Sequence, residues 1–198
     1  MPGPVRRRWV LGIVLAAIVL GVGLLVHRAL RMPPDTTPEG AYLRVAASLG
    51  RGDGRVVFSY LEDEAQHAAY TIRDYRKRAS DRVQQSYPEP ERARLLEEWR
   101  VHASAPDGAD VWLDLATRNG WITRLRRDLS AVAAVETAGD RATVATARGT
   151  RYALRRRANG MWGLTMFTAP LVAEAERAAR DLDVVEASAA DFERGQRP

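Results

Sequence analysis

Residues 9–26, WVLGIVLAAIVLGVGLLV, form an unbroken run of eighteen uncharged residues in which the Trp9 indole is the one strong hydrogen-bonding side chain. A helix of that length reaches about 27 Å, close to the hydrocarbon thickness of a bilayer. No face of it is polar enough to meet water, which argues against a buried helix of a soluble core. Arg6, Arg7 and Arg8 precede the run, His27, Arg28 and Arg31 follow it, and Trp9 stands where an interfacial aromatic is favoured. A cleaved leader would have a shorter apolar stretch and a small-x-small site after it, whereas HRALRMPP follows here. The run therefore reads as an N-terminal transmembrane helix, an uncleaved signal anchor over 9–30 behind a basic cytoplasmic flank at 1–8. Three arginines and the α-amino group before the span, against Arg28 and Arg31 after it, favour a cytoplasmic N-terminus. The rest of the chain is then expected outside, tethered at the cell (inner) membrane by one span, with Arg6, Arg7, Arg8, Trp9 and Arg28 flanking it.

The anchor also accounts for the basicity. Of the formal net charge of +5, all arises in residues 1–31, which hold five arginines and no acid. Beyond Arg31 the twenty-five basic residues are matched by twenty-five acidic ones. A nucleic-acid-binding domain would keep a positive excess of its own, so no nucleic-acid partner is expected. The chain has no cysteine, which excludes disulfides, thiolate metal sites and a cysteine nucleophile.

A proline-broken linker, 31–38, leads into an α+β domain over 39–198. Thr37, Pro38 and Glu39 supply the cap, first-turn proline and acid that start a helix, with Ala41, Tyr42, Val45, Ala46 and Leu49 on its apolar face and Gly50 as its stop. RGDG at 51–54 reads as a turn with Asp53 as a cap, not as an adhesion motif. From Val56 to about Gln85 the apolar residues Val57, Leu61, Ala65, Ala68, Ile72, Tyr75, Ala79 and Val83 fall mostly three or four apart, which predicts one long helix. SYPEPE breaks it. A further helix spans about Glu89 to His102, with Leu95, Leu96 and Trp99 inward, and Val111 to Leu129 is helical with an interruption at Asn119-Gly120.

The period then changes to two. Val132–Thr137, Ala142–Ala147, Arg151–Arg157 and Met161–Phe167 read as four strands of an antiparallel meander, together spanning about 131–167. The segment TRYALRRRANGMWGL, 150–164, poses a register question. A three-residue loop Ala158-Asn159-Gly160 pairs Arg156 with Trp162, Leu154 with Leu164 and Tyr152 with Met166, and so gathers the large apolar residues on one face. Arg151, Arg155 and Arg157 then point to the solvated face, while Arg156 lies on the tryptophan side, within reach of stacking on Trp162. The last element, about 169–194, is a long amphipathic helix with Leu171, Ala175, Ala178, Leu182, Val185, Ala189 and Phe192 as an unbroken heptad seam. That seam either packs on its own domain or pairs with a partner helix, from an envelope protein or a second copy.

Helices followed by the hairpins GDRATV, Gly139 to Val144, and NGMWGL, Asn159 to Leu164, resemble the nuclear-transport-factor-two-like superfamily, in particular its membrane-anchored exported bacterial members. The resemblance covers about residues 38–167 and implies helices packed on a curved four-stranded sheet to form a cone whose mouth can hold a ligand. The C-terminal helix departs from that pattern. Enzymes, binding domains and assembly factors share this fold, so it conveys no function by itself.

Chemistry-bearing residues are sparse. His27 belongs to the membrane flank, His67 and Glu64 form no HxxxH or HExxH pattern, and His102 sits near a helix end. No metal, cofactor or catalytic residue is assigned. Acid/base chemistry would need a carboxylate buried in the cone facing a donor, for which Tyr42, Asp63, Asp74, Tyr75 and Asp114 are the available types. Six arginines and no acid lie between residues 141 and 168, whereas residues 169–198 hold seven acids against four arginines. Either the acidic helix lies near the basic sheet face, or that face meets an anionic partner. The sequence thus points to a non-catalytic, membrane-tethered extracytoplasmic binding or assembly module. Its expected contacts are Tyr152, Arg156 and Trp162 on the sheet and Leu171, Ala178, Leu182 and Val185 on the last helix. The alternative is a small cone-fold enzyme with a buried carboxylate, and the two differ in whether an apolar groove or an enclosed carboxylate is found.

Overall fold

Thr37 opens the first element: its hydroxyl accepts from the Gly40 amide at 3.1 Å, and Pro38 starts α1, Pro38–Gly50. The computed structural model describes residues 32–195, so the expected membrane-spanning helix and its flanking Arg6, Arg7, Arg8, Trp9 and Arg28 lie outside the described residues. Among the described residues no helix is long and apolar enough to cross a membrane. The compact unit begins at Pro34, and Asp35 to Thr37, read from sequence as linker, are bonded into it. Ala41, Tyr42, Val45 and Leu49 of α1 are buried, and the helix runs through Gly50 to a left-handed turn at Gly52, φ 85°.

The single helix expected from Val56 is instead two elements. A 3₁₀ helix, Arg55–Tyr60, follows Gly54, and the Asp53 carboxylate before it accepts from the Val56 amide at 3.3 Å. The chain then straightens at Leu61 and Glu62 before α2, Asp63–Ser86. Leu61 forms a parallel bridge with Leu164 and the Glu62 amide donates to the Leu164 carbonyl at 3.2 Å, so this short stretch caps the sheet edge. Strand addition overrides a periodicity that did not distinguish the two cases, since Leu61 is buried either way. The approach is so close that a Cβ at Gly163 would lie 2.6 Å from the Glu62 nitrogen, which restricts the position to glycine.

Helix α3 is Glu91–Ala103; α4, Gly108–Arg118, is capped by the Asp107 carboxylate; Gly120, φ 68°, separates it from α5, Trp121–Asp128. The strands β1 Val132–Ala138, β2 Arg141–Thr146, β3 Arg151–Arg156 and β4 Trp162–Leu164 form one antiparallel sheet in the order β1-β2-β3-β4. Arg156 pairs with Trp162 and Leu154 with Leu164, with Gly160 left-handed at φ 83°, as the apolar pattern requires. The expected pairing of Tyr152 with Met166 does not form. Strand β4 ends at Leu164, the Thr168 amide bonds to the Thr165 carbonyl, and Met166 is half exposed at the turn into α6, Thr168–Gly195.

Helices α1, α2, α4 and α6 and the 3₁₀ turn bury the sheet face that carries Ala142, Val144, Tyr152, Leu154 and Leu164, and this is the main core. A satellite core joins the second halves of α2 and α6 to α3 through Ala79, Val83, Tyr87, Leu95, Trp99, Leu182, Val185 and Ala189. The heptad seam is thus taken up within the chain. Leu171 and Ala178 are fully buried, and Leu182 and Val185 nearly so; Leu171 lies in the main core and Leu182 and Val185 in the satellite core. Their expected role as a surface for a partner is corrected accordingly: burial of each large apolar side chain contributes about 1.5–3 kcal/mol to this fold. The acids of α6 do not face the basic sheet either. Glu174 and Asp181 meet Arg76, at 3.7 and 2.6 Å, and Glu186 and Glu193 meet Arg82, at 3.1 and 2.6 Å, all across the contact with α2.

Candidate functional site

One face of α5 and the turn from β4 into α6 enclose a cleft of about 450 Å³. Gly120 turns the chain through a left-handed conformation, so that Trp121 begins α5. Residues 121, 124, 125 and 128 then fall one and two turns apart on one side of the helix and line the cleft as Trp121, Arg124, Leu125 and Asp128. Thr150, Arg151 and Tyr152 form the opposite wall, with Met166, Phe167 and Pro170 closing the end. Three rings set the apolar part. Trp121 stacks at 5.3 Å from Phe167, and both lie against the buried Trp112, at 5.7 and 4.8 Å. Such tilted and edge contacts fix ring orientation beyond what area burial supplies.

Tyr152 is the sequence-predicted contact residue that lines this cleft. Its ring lies 5.2 Å from that of Tyr42. The Tyr42 hydroxyl donates to the Ser130 carbonyl at 2.8 Å and accepts from the Ser130 amide at 3.1 Å. The Tyr152 hydroxyl is buried without a hydrogen-bond partner among the described residues. Burial, together with the nearby Tyr42 and the negative charge of Asp128, pushes its pKa up to about 12, so it remains a protonated donor at neutral pH. At the rim, Arg151 pairs with Glu136 at 2.9 Å and Asp128 with Arg127 at 2.9 Å, both at the surface. Arg124 donates to the Asn119 carbonyl at 3.1 Å and has no carboxylate partner among the described residues.

Arg156 and Trp162 stand elsewhere. Trp162 is buried: its indole N–H donates to the Thr36 carbonyl at 3.1 Å and its amide to the Asp35 carbonyl at 3.3 Å, clasping the segment before α1. Arg156 pairs with it in register yet remains exposed and stacks on no ring among the described residues. The expectation that Arg157 faces solvent is also corrected. Its guanidinium turns onto the start of α2, bonding Asp63 at 2.7 Å, the Ser59 carbonyl at 2.7 Å and Gln66 at 3.0 Å. Burial works against the Asp63 charge, but the Arg157 and Ala158 hydrogen bonds outweigh it and hold that carboxyl below its usual range.

The other carboxylates named from sequence are dispersed. Asp74 meets Arg73 at the surface, and Asp114 meets Arg118 at 2.5 Å and the buried His102 at 2.7 Å. His67 is exposed, and no cluster able to hold a metal occurs among the described residues. A second cleft, of about 490 Å³, lies over the other sheet face and contains Glu62, Arg141, Thr143 and Arg155. Glu62 is buried, accepts from the Thr168 hydroxyl and lies 3.8 Å from Arg155.

Sequence reasoning missed Trp121, Arg124, Asp128 and Phe167. The 121, 124, 125, 128 spacing was legible, but Ile122, Leu125 and Leu129 offer an equally good apolar stripe on the same short helix. No protein-family model, curated protein or solved structure matches this chain.

Proposed function

We propose that the protein is a non-catalytic, membrane-tethered extracytoplasmic binding or assembly module, anchored at the inner membrane through residues 9–30, and that its binding site is the aromatic cleft. The observation that carries this reading is the cleft itself: a half-open groove with an apolar floor of Trp121, Leu125 and Phe167. Its volume falls in the range of small-molecule sites, whose walls are mostly apolar with a few polar groups at the margin. Helices followed by a four-stranded meander support a nuclear-transport-factor-two-like reading of the domain, with the C-terminal helix as an addition. Buried Glu62 in the second cleft favours the alternative, a small enzyme whose acid/base carboxylate lies beside Arg155.

Two measurements on the full chain test the reading. A reporter active only outside the cytoplasm, fused after Pro198, is expected to be active; activity of a cytoplasmic reporter alone would reverse the orientation. Titration with naphthalene-2-carboxamide in non-ionic micelles, with empty-micelle heats subtracted, is expected to saturate at one site. At about 0.3 kcal/mol per heavy atom, its Kd lies on the order of 1 mM. Trp121→Ala abolishes this binding if the cleft is the site, whereas unchanged binding removes the cleft from consideration.

A further inference from the structure

We infer that the aromatic cleft selects a compact aryl carboxylate, a flat ring system bearing one anionic group; this deepens the binding reading and rests on it. Three observations lead there. First, the apolar lining is aromatic: the half-buried Trp121 ring borders the cleft and is held in place by the buried Phe167 and Trp112, a surface on which a flat ring can lie. Second, the cleft is short. From Trp121 to Asp128 along α5 is seven residues, about 10 Å, which matches the length of one or two fused rings with a substituent.

Third, the rim charge is asymmetric. Arg124 sits one turn from Trp121 and, among the described residues, bonds the Asn119 carbonyl and no carboxylate, so no described acid neutralises its charge. Arg151 stands across the cleft, its side chain more than half exposed in its pair with Glu136. Guanidinium groups bind carboxylates through paired N–H donors, so a ring on Trp121 places its carboxylate one helical turn away, at Arg124. Asp128 at the far end, already paired with Arg127, disfavours a second negative group on the ligand.

Naphthalene-2-carboxylate and naphthalene-2-carboxamide differ in charge and scarcely in shape, so comparing them isolates the proposed contact. With the full chain in non-ionic micelles, the carboxylate is expected to bind about tenfold more tightly than the carboxamide, with the advantage shrinking as salt is raised. Arg124→Gln, a change at an exposed position that leaves the core intact, reduces the ratio to about one while carboxamide binding is retained. Asp128→Asn raises carboxylate affinity about two- to threefold. Equal affinity of the two compounds, or a preference that survives Arg124→Gln, overturns the inference and leaves the binding reading standing. Saturable binding of neither compound overturns both.

Discussion

The two cores of this domain share the helices α2 and α6 but hold them by different means. In the main core the first halves of these helices meet the sheet, and large aromatic and branched side chains from distant parts of the chain interlock, with Trp112, Tyr42, Ile72, Leu154 and Leu164 fully or almost fully buried. In the satellite core their second halves meet Tyr87 and α3, with mostly small side chains of the two long helices, Ala79, Val83, Val185 and Ala189, set against Leu95 and Trp99. Charge supplements that thinner contact. Arg76, buried, lies 5.1 Å above the Trp99 ring while pairing with Asp181, and Arg82 bridges to Glu186 and Glu193. One continuous helix therefore passes between two stability regimes, and its second half is expected to open at lower free energy than its first.

The comparison is broken most severely at Trp112. Truncating it to alanine removes the centre of the ring cluster and is expected to cost about 3–5 kcal/mol, lowering the whole unfolding transition measured by denaturant titration. Leu182→Ala should cost less, about 2–3 kcal/mol, and its effect should be regional. Amide hydrogen exchange would speed up in α3 and the second halves of α2 and α6 while β2 and β3 stay protected; uniform acceleration would show the two cores to be one cooperative unit.

His102 sharpens the same boundary through pH. Burial lowers its pKa from the ordinary value near 6.5, opposed by Asp114 and assisted by the positive charges of Arg118 and Arg76. Because the unfolded chain takes up the proton more readily than the folded one, this contribution is full above pH about 6.5 and is lost as pH falls below it. His102→Gln should flatten that part of the stability profile, whereas an unchanged slope would assign the loss to other groups. The smallest expected effect is at Tyr152. Replacing it with phenylalanine removes a buried hydroxyl that lacks a partner, so stability should rise by up to about 1 kcal/mol, and a loss of stability would reveal a bond to that oxygen.

The hairpins were legible because their determinants are local. Gly139 and Gly160 take positive φ, 63° and 83°, and the alternation of Tyr152, Leu154, Trp162 and Leu164 admits one register that buries all four. Helix starts at Thr37 and Asp107 depend on a cap and the amides that follow it, again within one turn. The candidate cleft was legible only at Tyr152. Trp121 and Phe167 are more than forty residues apart in sequence, and no local pattern states that their rings meet. Arg156 and Trp162 were placed correctly in the sheet, but no local pattern states that the segment at Asp35 and Thr36 closes over the tryptophan while Arg156 stays exposed.

The sequence by itself determined the eighteen-residue apolar run, the helix caps at Thr37 and Asp107, the hairpin turns and the strand register as far as Leu164, since each rests on the chemistry of neighbouring residues and on side-chain period. Tertiary structure alone decided that Leu61 and Glu62 leave the helix to edge the sheet, that the seam of α6 is divided between the main and the satellite core, and that four of its acids meet Arg76 and Arg82. Those outcomes follow from which apolar surfaces can be removed from water together. That free energy is non-directional and scales with area, so a helical stripe specifies that it must be buried without specifying against what.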